Sequence, residues 1–445
     1  MDELIFEPAE SSIEAVGRAT KPNLRGSIRS EPLGFPFLGL VLFMIVYFAR
    51  PEDWIPGLAA VPLAKITGIL IFMALGFSLG TIRWHVPRAV VFLALLVVQL
   101  WLTVPFSFWR GGAFNVMLDF SKVLPLVAVI YATVRSIQRL RWILLVQAVS
   151  VATIAFVSII DVHLMGGRLG SVLSGIYRNP NDLALIIDVT LPLGLALAIT
   201  TRNIWKKLAW TVAMLGMTYA VILTASRGGA IAFAVAATIC LWQLGMKGRR
   251  FYLLFLVPTA AVAFWLYAGS TLEQRFQQTD VALATNKQVT EAFGSAEQRK
   301  ELLIESLRVT AQHPFFGVGP GNFENVSGFW RVTHNSYTQV SSEGGIPAFL
   351  LYALIFWTGI ATLRKVRRQT RNRTRIFSMA LEASLVAYLV GSFFLSLAYY
   401  LFPYCLVAYT SALAIIAARD RKLSTSEGHS IENVRPIEPA VEHAS

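Results

Sequence analysis

Apolar runs long enough to cross a lipid bilayer recur along most of this 445-residue chain. A helix of about 17 to 25 apolar residues spans a hydrocarbon core roughly 30 Å thick, because it satisfies its own backbone N–H and C=O groups where no water can. About twelve such runs are present, near 35–50, 58–80, 88–108, 118–134, 141–160, 183–200, 206–224, 229–245, 250–269, 346–363, 378–398 and 400–418. With 55% hydrophobic and 15% charged residues, an ordinary soluble fold is excluded. The expected fold is all-α, a polytopic transmembrane helical bundle of about 12 helices with one large extracytoplasmic loop containing short helices.

The charges orient that bundle. Arg83 and Arg88, Arg135, Arg139 and Arg141, Arg202, Lys206 and Lys207, and Lys247, Arg249 and Arg250 all fall in alternate connections. So do the cluster from Arg364 to Arg375 and the group Arg419, Arg421 and Lys422. The positive-inside rule makes these connections cytoplasmic. The net charge of +13 is then mostly an orientation signal, and no nucleic-acid partner is expected, because the cations are scattered over separate short loops. The polar, charged start before Phe35 reads as a cytoplasmic tail rather than a signal peptide. The expected organisation is a cytoplasmic N-terminal tail (1–34), transmembrane helices 1–9 (35–269), an extracytoplasmic loop (270–345), transmembrane helices 10–12 (346–418) and a disordered cytoplasmic tail (419–445). Cys240 and Cys405 fall inside spans and read as small apolar residues.

The long outer loop carries the chemistry. Its segment SAEQRKELLIESLRVTAQ, Ser295 to Gln312, reads as an amphipathic helix: Ser295 with Gln298 fits a capping box, Leu303, Leu307 and Val309 suit an apolar face, and Pro314 ends it. HPFFGVGPGNF follows, with Gly317, Gly319 and Gly321 permitting turns and close approaches. Next, THNSYTQVSSEGGIPAFL crowds His334, Asn335, Tyr337, Gln339 and Glu343 against the start of a span. A lone histidine is most often a surface or capping residue; this polar density points to a site instead. On the same predicted face, Arg227 in the short turn TASRGG is followed by Gly228 and Gly229, a place where a fixed cation can clamp phosphate.

Three ordered pieces, YRNPNDLALIIDVTLPLG, TASRGG and the loop from Arg299 through HPFFGVGPGNF to THNSYTQVSSEGGIPAFL, resemble the O-antigen ligase and O-antigen polymerase superfamily of bacterial envelope glycosyltransferases. The resemblance covers about 170 to 363 and implies a membrane enzyme acting on polyprenyl-diphosphate-linked glycans. It implies that Arg227 and Arg299, with Arg308 as the alternative to Arg299, bind the lipid diphosphate, and that His334 is the catalytic base. Arg178, Asn179, Asn181, Asn335, Tyr337, Gln339 and Glu343 are the expected supporting or substrate-binding residues. The expected partners are a polyprenyl-diphosphate-linked glycan donor, a lipid A core, glycan or protein acceptor, and membrane lipids, in the bacterial inner (cytoplasmic) membrane with the site facing the periplasm or exterior. No cofactor and no metal is expected. Ligase activity is the first expectation and polymerase the second. A transporter or flippase, with Lys65, Asp119, Lys122, Asp188 and Glu382 lining a path, is the alternative from another class.

Overall fold

The computed structural model describes residues 34–432 apart from 79, 81–85, 161–163, 166–167, 171–174, 178, 249 and 252–287. The chain divides into residues 1–34 and 35–445, and the helical bundle is the second of these units. Its helices in chain order are α1 (Phe35–Ala49), α2 (Pro51–Trp54), α3 (Leu63–Ser78), α4 (Arg88–Thr103), α5 (Arg110–Ser121), α6 (Val123–Thr133) and α7 (Ile137–Ile160). Then come α8 (Pro180–Thr200), α9 (Ile204–Leu223), α10 (Arg227–Cys240), α11 (Gln288–Gln312), α12 (Phe323–Val326), α13 (Ser336–Gln369), α14 (Asn372–Gly391) and α15 (Phe402–Glu432). A two-stranded antiparallel ladder, Leu164–Met165 with Arg168–Leu169, precedes α8.

The fold is an all-α polytopic membrane bundle. Among the described residues nine helical stretches are long and apolar enough to span a bilayer, and α1 and α3 are shorter apolar helices. The expected span at 250–269 lies outside the described residues except at its first two positions. The spans at 118–134 and 229–245 are composite: α5 and α6 form one stretch, and α10 continues as a π-helix, Leu241–Met246. Helix α15 runs on to Glu432, so the backbone at 419–432 is helical where a disordered tail is expected.

At the centre lies α8, buried along most of its length, with α7, α9, α10 and α14 around it. Buried tyrosines tie spans together: the Tyr352 and Tyr388 hydroxyls are 2.8 Å apart, and Tyr409 donates to Gln147 Oε1 at 3.0 Å. Such bonds between spans are worth about 0.6 kcal/mol each, so packing does most of the work.

Helix direction separates two ends. Helices α4, α7, α9 and α14 begin, and α8 and α13 end, near the basic stretches; Arg141 bonds to Thr201 Oγ1 there at 2.9 Å. At that end buried Glu382 on α14 accepts from Arg364 at 2.9 Å and from Arg367 on α13. The loop from His313 to Asn335 gathers at the opposite end.

Candidate functional site

Arg227 is placed by a short polar network. Helix α9 ends at Leu223, Ala225 adopts φ +46°, and Ser226 caps α10 by accepting from Gly229 N at 3.1 Å. Arg227 is therefore the first residue of α10. The Ser226 hydroxyl donates to Asn181 Oδ1 at 2.8 Å, and that oxygen also accepts from Arg168, whose Nε reaches Thr224 O at 2.9 Å. Asn179 caps α8 by accepting from the Asn181 and Asp182 amides, with Pro180 at the first helical position, where its missing N–H costs nothing. Thus the RNPN and TASRGG segments, distant in sequence, meet through Asn181. A Cβ on Gly228 would lie 2.8 Å from Phe394 Cβ and one on Gly229 2.7 Å from Ala184 Cβ, so α10 starts pressed against its neighbours. Arg178 lies outside the described residues.

The outer helix differs from its sequence reading. It begins at Gln288, so Ser295 is internal and not a cap. The buried face is Leu302, Ser306 and Val309, whereas Leu303 and Leu307 point outward. Helical periodicity identifies apolar faces but not which one meets protein, and this helix has two. Arg299 borders the buried face; Arg308, about two and a half turns further on, lies on the opposite side and pairs with Glu305 at 3.0 Å.

The glycine turn serves packing. Gly317, Gly319 and Gly321 take φ +62°, +96° and +72°. Val318 N and Gly319 N donate to Ser342 O and Glu343 O, both at 2.9 Å, and Ile346 N donates to Pro314 O at 2.7 Å. The Val318 and Gly319 amides fill carbonyls freed where α13 breaks at Gly345 (φ 79°, ψ 176°), and Pro314 O takes an amide freed by the same break. A Cβ on Gly317 would sit 2.4 Å from the Glu343 carbonyl carbon. Two of the turn's N–H groups are thus committed to α13 rather than offered to a phosphate.

His334 sits between the turn and α13, in a left-handed conformation at φ +52° that is uncommon for a residue with a side chain. Its neighbours hold it: Thr333 Oγ1 donates to Asn335 O, and Ser336 Oγ donates to Leu395 O at 2.6 Å. Burial, and then the Arg299 and Arg331 guanidiniums, push its pKa down from 6.5 to about 4. Burial and then Arg227 lower that of Arg299. Arg227, Arg299, His334 and Arg331 are therefore electrostatic neighbours. Arg331 also donates to Gln298 Oε1 at 2.5 Å, clasping the histidine loop to α11 beside Arg299. Among the described residues none of these three arginines has a carboxylate partner within ion-pair distance. Arg331 and Arg168 were not singled out by sequence; the available signal was Arg331 lying three residues before His334 in an acid-poor stretch.

The other expected site residues hold the frame. Asn335 caps α13 by accepting from the Tyr337 and Thr338 amides, Tyr337 donates to Leu389 O at 2.8 Å, and Gln339 Oε1 accepts from Ala398 N at 3.3 Å. Glu343 is buried, with Oε1 3.4 Å from Phe323 N and Tyr399 alongside. Among the described residues no three His, Cys, Asp or Glu side chains group as metal ligands.

Taken together these features define a multi-pass α-helical membrane protein with a cluster of arginines and a histidine at one end of the bundle, its arginines without a carboxylate partner among the described residues. Residues 212–353 match the family model described as O-antigen ligase (Wzy_C), which supports the O-antigen ligase and polymerase superfamily for this chain. The matched stretch includes Arg227, Arg299, Arg331 and His334, and leaves Asn179 and Asn181 outside. No curated protein matches the chain.

Proposed function

We propose that this protein is a membrane-embedded glycosyltransferase of the O-antigen ligase type, moving a glycan from a polyprenyl diphosphate to an acceptor hydroxyl, a lipid A core first among acceptors, on the extracytoplasmic side. The observation that carries the reading is that Arg299 is an electrostatic neighbour of both Arg227 and His334, the three brought together from the start of α10, the middle of α11 and a loop, with no carboxylate paired to either arginine among the described residues. The outward orientation rests on the basic connections gathering at the other end of the bundle. Of the charged residues that suit a transport path, Asp119 pairs with Lys122 on an outward face and Glu382 with two arginines, pairings that give these residues a structural role.

The chemistry follows from the charges. Two planar multi-donor guanidiniums neutralise a departing diphosphate better than lysines, because each offers paired N–H donors to phosphate oxygens. His334 is neutral in the empty site and so free to accept the acceptor's hydroxyl proton. That oxygen bonds to the anomeric carbon as the bond from carbon to the phosphate oxygen breaks, its electron pair leaving with the diphosphate. One such displacement inverts the anomeric centre. Burial is the larger cause of the low His334 pKa and the neighbouring arginines the smaller; the donor's negative charge offsets the arginines' part, so donor binding raises the basicity of His334 when it is needed.

Purified protein in lipid, given a polyprenyl-diphosphate glycan and a choice of acceptors, tests this. Transfer is expected and is lost in His334→Ala and in Arg227→Ala; transfer that survives both substitutions overturns the assignment. Products on lipid A core mark a ligase, and products on a second lipid-linked glycan mark a polymerase.

A further inference from the structure

We infer that α11 and the turn after it lie in the head-group layer of the bilayer, with one face of the helix inserted into the lipid surface. From Glu297 onward α11 presents three arcs. Leu302, Ser306 and Val309 are buried; Glu297, Glu301, Glu305 and Arg308 form a charged arc; and Leu303, Ile304, Leu307 and Ala311 form an outward apolar arc. A helix with one apolar face against its protein needs no second one in water, whereas a helix lying in an interface does. The outward stripe continues off the helix end into Phe315 and Phe316, with Leu307 53% and Phe315 70% exposed.

What covers this stripe is indicated by the surfaces it joins. Val91, Leu95, Val98, Leu102 and Phe106 line the outward face of α4 and its end at helical spacing, the surface a membrane span turns to lipid. Phe106 stacks on Phe316 with centroids 4.7 Å apart, and Gln99 donates to Phe315 O at 3.0 Å. From the other side, Ile346, Leu350, Leu354 and Trp357 form the outward face of α13, and Ile346 bonds back to Pro314. Two lipid-facing spans thus converge on the aromatic turn that directly follows the α11 stripe in the chain. Lys300 fits this arrangement: its stem lies along the apolar arc and its ammonium reaches Glu297 at 3.4 Å, toward the water side. Arg299 falls between the buried arc and the lipid arc, at head-group level.

Single nitroxide labels in liposome-reconstituted full-length protein test the placement, with the buried Cys240 and Cys405 replaced by alanine and folding checked by thermal melting. Labels at Leu307→Cys and Phe315→Cys are expected to be severalfold more accessible to oxygen than to a water-soluble nickel chelate. Labels at Glu301→Cys and Arg308→Cys are expected to show the reverse. Equal nickel access at all four positions overturns the inference. So does protection of 307 and 315 from both reagents, which marks a protein partner or a second copy rather than lipid. The outcome does not depend on any transfer activity.

Discussion

His334 is held neutral by its surroundings, which gives its titration a definite direction. Its folded pKa of about 4 lies below the ordinary 6.5. Between those two values the unfolded chain binds more protons at this residue than the native one, so its contribution lowers stability as pH falls from 6.5 toward 4. In kinetics, kcat/KM reports the free enzyme and kcat the donor complex. The acid limb of kcat/KM should therefore fall near 4, that of kcat should lie higher, and Arg331→Gln should raise the first by removing a neighbouring cation. A pH profile of both parameters checks this; coincident limbs would contradict the charge offset by the donor. Arg227→Lys keeps a charge and loses the fork, so a fall of about 10²-fold in kcat is expected from a single lost transition-state donor. Arg227, Arg299 and His334 were legible as chemical types. Their closeness was not, because it depends on side chains folding together from one helix start, the middle of another helix and a loop.

Among the elements, the glycine turn and the start of α13 form one unit. Gly317→Ala must place a methyl 2.4 Å from the Glu343 carbonyl carbon at φ +62°, while Gly328 has φ +73° and nothing within 4 Å of an added Cβ. Gly328→Ala should cost only the left-handed penalty, about 1–2 kcal/mol, and Gly317→Ala clearly more. Thermal melts of the two variants in detergent separate the terms, and equal losses would show that the close approach carries no weight. Ser226→Ala removes a helix cap worth about 1 kcal/mol and also the link to Asn181. It should lower transfer as well as stability, whereas loss of the cap alone would affect stability only. The outer helix was legible in type but not in register. Gly294, directly before Ser295, is a helix-weakening signal that the helix nonetheless runs through, and two apolar arcs left Leu303 and Leu307 indistinguishable from the buried Leu302 and Val309.

Over the whole molecule, the spans were readable because bilayer thickness sets helix length, a constraint that survives any rearrangement of neighbours. The order of packing around α8 was not readable, since apolar spans look alike on their buried and lipid faces. Glu382 shows how few charges the bundle tolerates: its carboxylate is nearly buried and both arginine partners come from α13. Glu382→Gln should cost about 2 kcal/mol, between the exposed-pair and buried-pair limits, because Arg364 remains partly open to solvent. Chemical denaturation in detergent checks this, and adding Arg367→Gln should recover part of the loss if the pair is the cause. The break in α13 has a practical meaning for building hybrids with related proteins. Since Ser342 and Glu343 lend their carbonyls to the turn and Ile346 returns an amide to Pro314, a transplanted loop that stops before Gly345 would arrive without its hinge. The exchangeable cassette runs from α11 through Ile346, and hybrids joined inside it should assemble poorly whichever acceptor they are meant to recognise.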